Sequence, residues 1–468
     1  MDVRFSIPGV VVRRYINDIK GNGLFAEKSF KKDEIIFSES PMFAVQHVYN
    51  RPIAWTCGNC YRFLGSLNRQ IQHYRTVFGV KEKTELVAFP EGTNQYEFKT
   101  GLYSCFAKCG EKYCSEECRK TAFDNHHQIL CVGEHTPETS ALYQFKKHAI
   151  DNNELFFLAA QVISFLVCRV QQLHNDQNGV RDIICAELFK QYTHRAWWDV
   201  RIDGNFTMEE AKRWSADSLA LLQKAMMPIL TSHPKTNDQK FISTILSMDF
   251  YSHLLGMLEM NDNSIGFKSP LEQFRKNLSA INSPEQYKQH SNNVMKSVIE
   301  SFRQYHAEQE DECDDDDCDH DHAMEQDGHD HKSGHGHSSH DEEDMMEDDD
   351  HMHDEKAEGE EEDDEEVFPG FDGFGVFGLQ AMINHSCVPN CLVVFEQGSS
   401  LAYIKALRDI VPGEELFHSY IEESAPFEER SQELVTYGFN CDCPKCTSER
   451  PNTTSSSTSS TTTSTTRK

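Results

Sequence analysis

Cys441, Cys443 and Cys446 crowd three thiols into six residues, and three thiolates cannot by themselves close a tetrahedron around a metal. The fourth ligand at hand is Cys387, in the run Asn384-His385-Ser386-Cys387-Val388-Pro389-Asn390. A metal shared by all four would fold the C-terminal segment back over the stretch that carries Asn384 and His385. Between them lies Gly413-Glu414-Glu415-Leu416-Phe417-His418-Ser419-Tyr420, which reads as a strand ending on a tyrosine. This pattern limits the possible folds more than any other feature, because it dictates which distant parts of the chain must meet.

The formal net charge of −31 is concentrated in one place. Between Glu308 and Glu366, 31 acidic residues face only Lys332 and Lys356, so this run carries −29 and the remainder only −2. Residues 307–366 have too few apolar side chains to offset the entropy of ordering and are expected to be disordered. The run also holds nine histidines, among them His320, His322, His335 and His337. A solvated spacer is the favoured reading over weak binding of nickel, copper or zinc. Attraction to a basic substrate is a third reading, and it would fade as salt shortens the Debye length below roughly 10 Å. The near-neutral body has only short basic clusters such as Lys31-Lys32 and Lys146-Lys147, which argues against a nucleic-acid binder.

Residues 1–19 contain no uninterrupted apolar core, and the most apolar stretch, residues 155–168, is broken by Gln161. The expectation is a buried helix, no membrane span and no export signal. Sixteen cysteines then point to a reducing compartment, where thiol clusters hold metal more often than disulfides.

Residues 10–45 alternate as short strands around the glycine turn Lys20-Gly21-Asn22-Gly23. Residues 140–306 read as helices. Asn153 caps a segment over 154–172, Thr207 and Glu210 form a capping box before a helix reaching about Met226, and Ser283-Pro284 opens another. Strand character returns over 374–420, with turns at Gln397-Gly398-Ser399 and Pro412-Gly413. Residues 453–466 are a solvated Ser/Thr tail.

From 57 to 131 the pattern is Cys57-x-x-Cys60, Cys105-x-x-x-Cys109, Cys114-x-x-x-Cys118 and His127-x-x-x-Cys131. Seven thiols and one imidazole suffice for two closed tetrahedral zinc sites, each pair aimed by one local turn. His126 competes with His127, and the three-residue gap to Cys131 favours His127. This arrangement resembles the MYND zinc finger. That family interleaves its pairs, which implies one ion on Cys57, Cys60, Cys114 and Cys118 and another on Cys105, Cys109, His127 and Cys131. Two departures stand out. The second pair has three intervening residues, which leaves Cys105 the least secure ligand, and 44 residues separate it from the first pair. That insertion is expected to loop out.

The C-terminal motifs resemble the SET-domain lysine methyltransferases. With a MYND finger between two SET halves, the chain resembles the SET and MYND domain-containing (SMYD) family over nearly its whole length. It is most like the member lacking a C-terminal helical repeat domain, since 22 residues follow Cys446. That member carries its acidic tract at the C-terminus, whereas here it precedes the catalytic half. The resemblance implies an α+β fold with a SET domain of small sheets and a pseudoknot, split into residues 1–50 and 367–422. A finger at 55–131, a helical SET insert at 135–306, a post-SET segment at 423–447 and a tail from 448 complete the expected organisation.

The implied chemistry is transfer of a methyl group from S-adenosylmethionine to lysine, with three zinc ions in structural roles. An ordinary lysine has a pKa of about 10.4 and must lose its proton before attack. An apolar channel ending at a sulfonium disfavours the ammonium form by desolvation and like charge, so no dedicated base is required. The protein must supply alignment. By resemblance, Tyr420 is the catalytic tyrosine and Tyr437 the second channel tyrosine. Phe439 covers the adenine, Asn384 and His385 bind the cofactor's methionyl and adenine parts, and Lys20, Gly21, Asn22 and Gly23 form the first cofactor signature. Glu414 and Glu415 read as strand-edge hydrogen-bonding groups rather than a catalytic pair. Cys168 and Cys185 read as core residues, while Cys391, Cys313 and Cys318 have no assigned place. The expected partner is a histone or other protein with an accessible lysine, met by a monomer in the nucleus or cytoplasm. The rival expectation is a catalytically silent adaptor whose finger binds a proline-containing peptide.

Overall fold

The fold is seen in a computed structural model that describes residues 7–14, 21–79, 85, 99–173, 189–190, 192–200, 207–311, 368–396 and 398–451. Lys20, Cys185, Cys313, Cys318, Gln397, the acidic run beyond Asp311 and the Ser/Thr tail lie outside them.

Four short strands open the chain: β1 Val10–Arg13, β2 Gly23–Ala26, β3 Ile35–Glu39 and β4 Phe43–Gln46. The pair β5 Tyr103–Ser104 and β6 Lys112–Tyr113 belongs to the cysteine-rich region, and β7 Asp262–Phe267 lies within the helical region. The C-terminal half adds β8 Phe371–Val376, β9 Asn384–His385, β10 Cys391–Val394, β11 Ala402–Ala406 and β12 Phe417–His418. Partners come from opposite ends of the sequence. β3 lies antiparallel to β11, with Phe37 opposite Ile404, and β4 lies antiparallel to β8, with Phe43 opposite Val376. β8 is the centre of the sheet β4-β8-β7. This is the split α+β arrangement that the sequence motifs imply.

The sheet β4-β8-β7 divides two cores, as a period-2 strand must when both faces are covered. Phe43 and Val45 point into the helical core with Val376, while Ala44 between them points into the strand core with Phe267 and Phe371. Phe267 and Phe371 stack with centroids 4.8 Å apart. The strands approach closely because β8 carries two glycines: a Cβ at Gly373 would meet the Val45 carbonyl oxygen at 2.3 Å, and one at Gly375 the Ala44 Cβ at 2.7 Å.

The helix Leu155–Gln172 is long and apolar enough to cross a bilayer by composition, but two thirds of it is buried in the core. Asn153 Oδ1 accepts the Leu155 N–H at 2.8 Å, satisfying one orphan donor at its start. Gln161, the polar interruption, donates to the Ala44 carbonyl at 3.0 Å and ties this helix to β4. The capping box is reciprocal. Glu210 N–H donates to the Thr207 hydroxyl, and Thr207 N–H to the Glu210 carboxylate. The helix it opens, Met208–Ser232, passes the expected end near Met226 and contains Pro228; buried Leu230 holds its last turn in the core. Ser283 behaves differently from its predicted role. Its buried hydroxyl has no hydrogen-bond partner, and the helix Glu285–Asp311 starts with the Pro284 carbonyl accepting the Tyr287 N–H. That helix extends five residues into the run expected to be without structure.

Candidate active site and metal centres

The eight finger ligands sort into the interleaved sets implied by the resemblance. Ligand atoms of Cys57, Cys60, Cys114 and Cys118 lie within 4.8 Å of one another, as do those of Cys105, Cys109, His127 and Cys131. The Sγ atoms of Cys60 and Cys114 are 3.6 Å apart, and those of Cys114 and Cys118 3.5 Å. These spacings are far too long for disulfides and close to the roughly 3.8 Å edge of a tetrahedron with 2.3 Å zinc–sulfur bonds. The residues therefore fit the metal. Cys105, the ligand in doubt, lies 3.1 Å from His127 Nε2, and its sulfur accepts the Ala107 N–H at 3.4 Å. Lys108 at φ +54° and Gly110 at φ +102° supply the left-handed turn between Cys105 and β6. A single π-helical turn, Phe123–His127, places His127 rather than His126 among the ligands.

The described start of the insertion, residues 61–79, does not loop out, while residues 80–84 and 86–98 lie outside the described residues. Its helix Leu67–Val77 carries Leu67, Ile71 and Tyr74 on one face and buries them against Leu271, Phe274 and Leu278. The apolar residues at i, i+4 and i+7 are the reason, since an exposed stripe of that size gains stability by docking.

The third set unites Cys387 with Cys441, Cys443 and Cys446. Cys387 and Cys446 Sγ are 3.5 Å apart, and Cys441 and Cys443 accept N–H bonds from Cys443 and Cys446. Cys443 is also the N-cap of the helix Pro444–Glu449.

The parallel pair β9 and β12 sets Asn384 beside Phe417 and His385 beside His418. Two residues on, Tyr420 turns back over β9. Its N–H donates to His385 Nδ1 at 3.0 Å and its hydroxyl to the Ile383 carbonyl at 2.8 Å. Nδ1 being an acceptor puts the His385 proton on Nε2, which faces Cys387 Sγ at 3.2 Å. Burial, then the neighbouring His418 and Arg430 charges, pushes His385 down to about 4, so the ring is neutral at pH 7. Burial also pushes the Tyr420 phenol up, which keeps its proton on as a donor.

Around the Tyr420 ring stand His418 at 4.9 Å, Tyr437 at 5.3 Å, His385 at 5.4 Å and Phe439 at 6.4 Å, measured between centroids. Tyr437 O–H donates to the Tyr420 carbonyl. The N-terminal half reaches the same place: Asn384 Nδ2 donates to the Asn22 carbonyl at 3.0 Å and to Glu415 Oε1 at 2.8 Å. Gly21 takes φ +59° beside Asn22, and Gly23 begins β2 opposite Arg13. Glu414 is bound by Asn390, Arg408 and the Val411 N–H, so both glutamates serve as hydrogen-bonding groups.

Four residues here escaped sequence reasoning. His418 is buried against Tyr420, and its position two residues earlier on a strand was the available signal. Gln380 bridges Asn263 Nδ2, at 2.8 Å, and the His418 ring. The Glu39 carboxylate accepts N–H bonds from Gly378, Leu379 and Gln380, each 3.0 Å, and so caps the turn leading to Ile383. Arg430 is buried beside Cys446.

Comparison with known proteins matches the SET domain to residues 21–421. The chain belongs to the SET-domain family. It is 26% identical to histone-lysine N-methyltransferase ATXR2 of Arabidopsis thaliana, over 92% of this chain and 89% of that protein. It is likewise 26% identical to the protein-lysine N-trimethyltransferase SMYD5 of Mus musculus, over 96% and 89%. A stretch of 78 residues, 16% of this chain, is 41% identical to the N-lysine methyltransferase SMYD2 of Homo sapiens. The SET match runs from β2–β4 through the inserted regions to β12, in keeping with the β3–β11 and β4–β8 pairings.

Proposed function

We propose that this SET-domain chain is a protein-lysine N-methyltransferase that uses S-adenosylmethionine as methyl donor. The observation that carries the reading is the Tyr420 hydroxyl, fixed on the Ile383 carbonyl inside an enclosure of rings. The cofactor would supply an electrophilic methyl group on a sulfonium. Asn22 and Asn384 would bind it. Asn384 spends its amide protons on Asn22 and Glu415, which leaves Oδ1 to accept from a ligand. Both His385 ring nitrogens are engaged within the protein, so a cofactor hydrogen bond from this residue comes from its main chain. Phe439 and Tyr437 present π faces to a cation, and Tyr437 with Tyr420 lines the approach of the lysine. Their apolar walls exclude water and favour the neutral amine, and Tyr420 orients it for in-line attack. The three thiol-rich sets would hold zinc and build this enclosure without entering the reaction.

The relatives' names support a protein substrate with an accessible lysine, and the proposed sites of action are nucleus and cytoplasm. A second binding role at the finger has its own support: exposed Tyr103 and Phe106 flank Arg119, whose guanidinium lies 4.1 Å over the Phe106 ring. A proline-containing peptide would dock on such a surface. Methyl transfer is tested with zinc-loaded chain, methyl-labelled cofactor and cell lysate, mapping the label by mass spectrometry. Label on lysine, lost in Tyr420→Phe, supports the enzyme. Absence of label on any protein leaves the adaptor role.

A further inference from the structure

Arg430 is the most deeply buried cation near the C-terminal thiols, at 1% exposure. It lies on the helix Phe427–Thr436, whose C-cap is Tyr437. Its Nη2 stands 3.7 Å from Cys446 Sγ and 2.6 Å from Glu449 Oε2. Its Nη1 donates to the Ala425 carbonyl, just before the helix begins. Leu434 and Tyr437, four and seven residues on, pack against the same cluster as Cys387 and Cys446. One helix face thus presents a cation, an apolar residue and a channel tyrosine to the thiol centre.

Four thiolates around a divalent zinc leave a net charge of −2. Placing that charge at buried sulfurs is unfavourable unless donors or cations face it. A planar guanidinium can reach a sulfur, a carboxylate and a carbonyl at once, which a lysine ammonium cannot do with the same geometry. We propose that Arg430 is the counter-ion of the Cys387/Cys441/Cys443/Cys446 centre and, clasped by Glu449, sets how firmly that centre holds zinc and the Tyr437 segment. Arg430 is a positioning residue in this account: it touches the ligands, not the reacting atoms. The proposal rests on the reading that these four thiols bind zinc.

The test uses full-length, zinc-loaded protein and follows metal release to a chelating dye, while alkylation mapped by mass spectrometry reports which cysteines become free. The wild type is expected to release three ions. In Arg430→Met, Cys387, Cys441, Cys443 and Cys446 should be freed about 10- to 100-fold faster, with the two finger sites unchanged. Arg430→Lys should fall between, and Glu449→Gln, at a site 41% exposed, should speed the same single ion by a smaller factor. Should Arg430→Met not fold, the other two variants decide. Unchanged release from the C-terminal thiols overturns the proposal, and so does equal acceleration at all three sites. A wild type holding only the two finger ions overturns it at its premise. Methyl transfer is read separately, so failure here is distinguishable from failure of the proposed activity.

Discussion

The Tyr420 hydroxyl makes one hydrogen bond, to the Ile383 carbonyl, and the ring packing holds it there. Tyr420→Phe should leave cofactor affinity largely intact and slow methylation about 100-fold or more, measured as kcat with labelled cofactor. His418 supplies a pH prediction. Burial pushes its pKa down to about 4 from an ordinary value near 6.5, so the folded state binds this proton less readily than the unfolded state. Its contribution is complete above about pH 6.5 and is lost as pH falls towards 4, by at most about 1.4 kcal/mol per unit. Denaturant titrations between pH 7 and 5 should show a shallower decline for His418→Gln than for the wild type. Neither role was legible in one residue read alone. Tyr420 was recognisable because it ends a motif, whereas His418, Gln380 and Glu39 matter through contacts with residues up to 341 positions away.

Elements were legible where the cause is local. Short-range thiol spacing and a reciprocal capping box depend on neighbouring residues, and both sit where the sequence placed them. Thr207→Ala should therefore lower stability by about 1 kcal/mol in thermal or denaturant unfolding. The first part of the finger insertion departs from the expected loop because the partner of its apolar stripe is a helix about 200 residues away. The helix Met208–Ser232 outran its predicted end for a similar reason, tertiary packing of Leu230 outweighing the local cost of Pro228. In the C-terminal element, Cys443→Ser removes both a candidate metal ligand and the N-cap of Pro444–Glu449. It should loosen the segment bearing Tyr437 and Phe439 and weaken cofactor binding about 10-fold or more, read by equilibrium dialysis.

At the scale of the whole molecule, strands from the first 46 residues pair with strands of residues 371–406, and a cluster of four thiols that could hold a metal ion ties the C-terminal segment to Cys387 beside β9. The two strand halves were legible through motifs at their ends, but the division of two cores by β4-β8-β7 was not, since it depends on which face each insert covers. On the proposed reading, cofactor binding should depend on the assembled whole, with the Asn22 loop, β9 and the C-terminal segment each contributing one wall. Calorimetric titration of the fully metal-loaded chain with S-adenosylmethionine tests this most directly. The account predicts one site per chain, retained in Tyr420→Phe and lost when chelation strips the Cys387/Cys441/Cys443/Cys446 centre. No binding by the loaded chain, or equal binding after the centre is stripped, would contradict it.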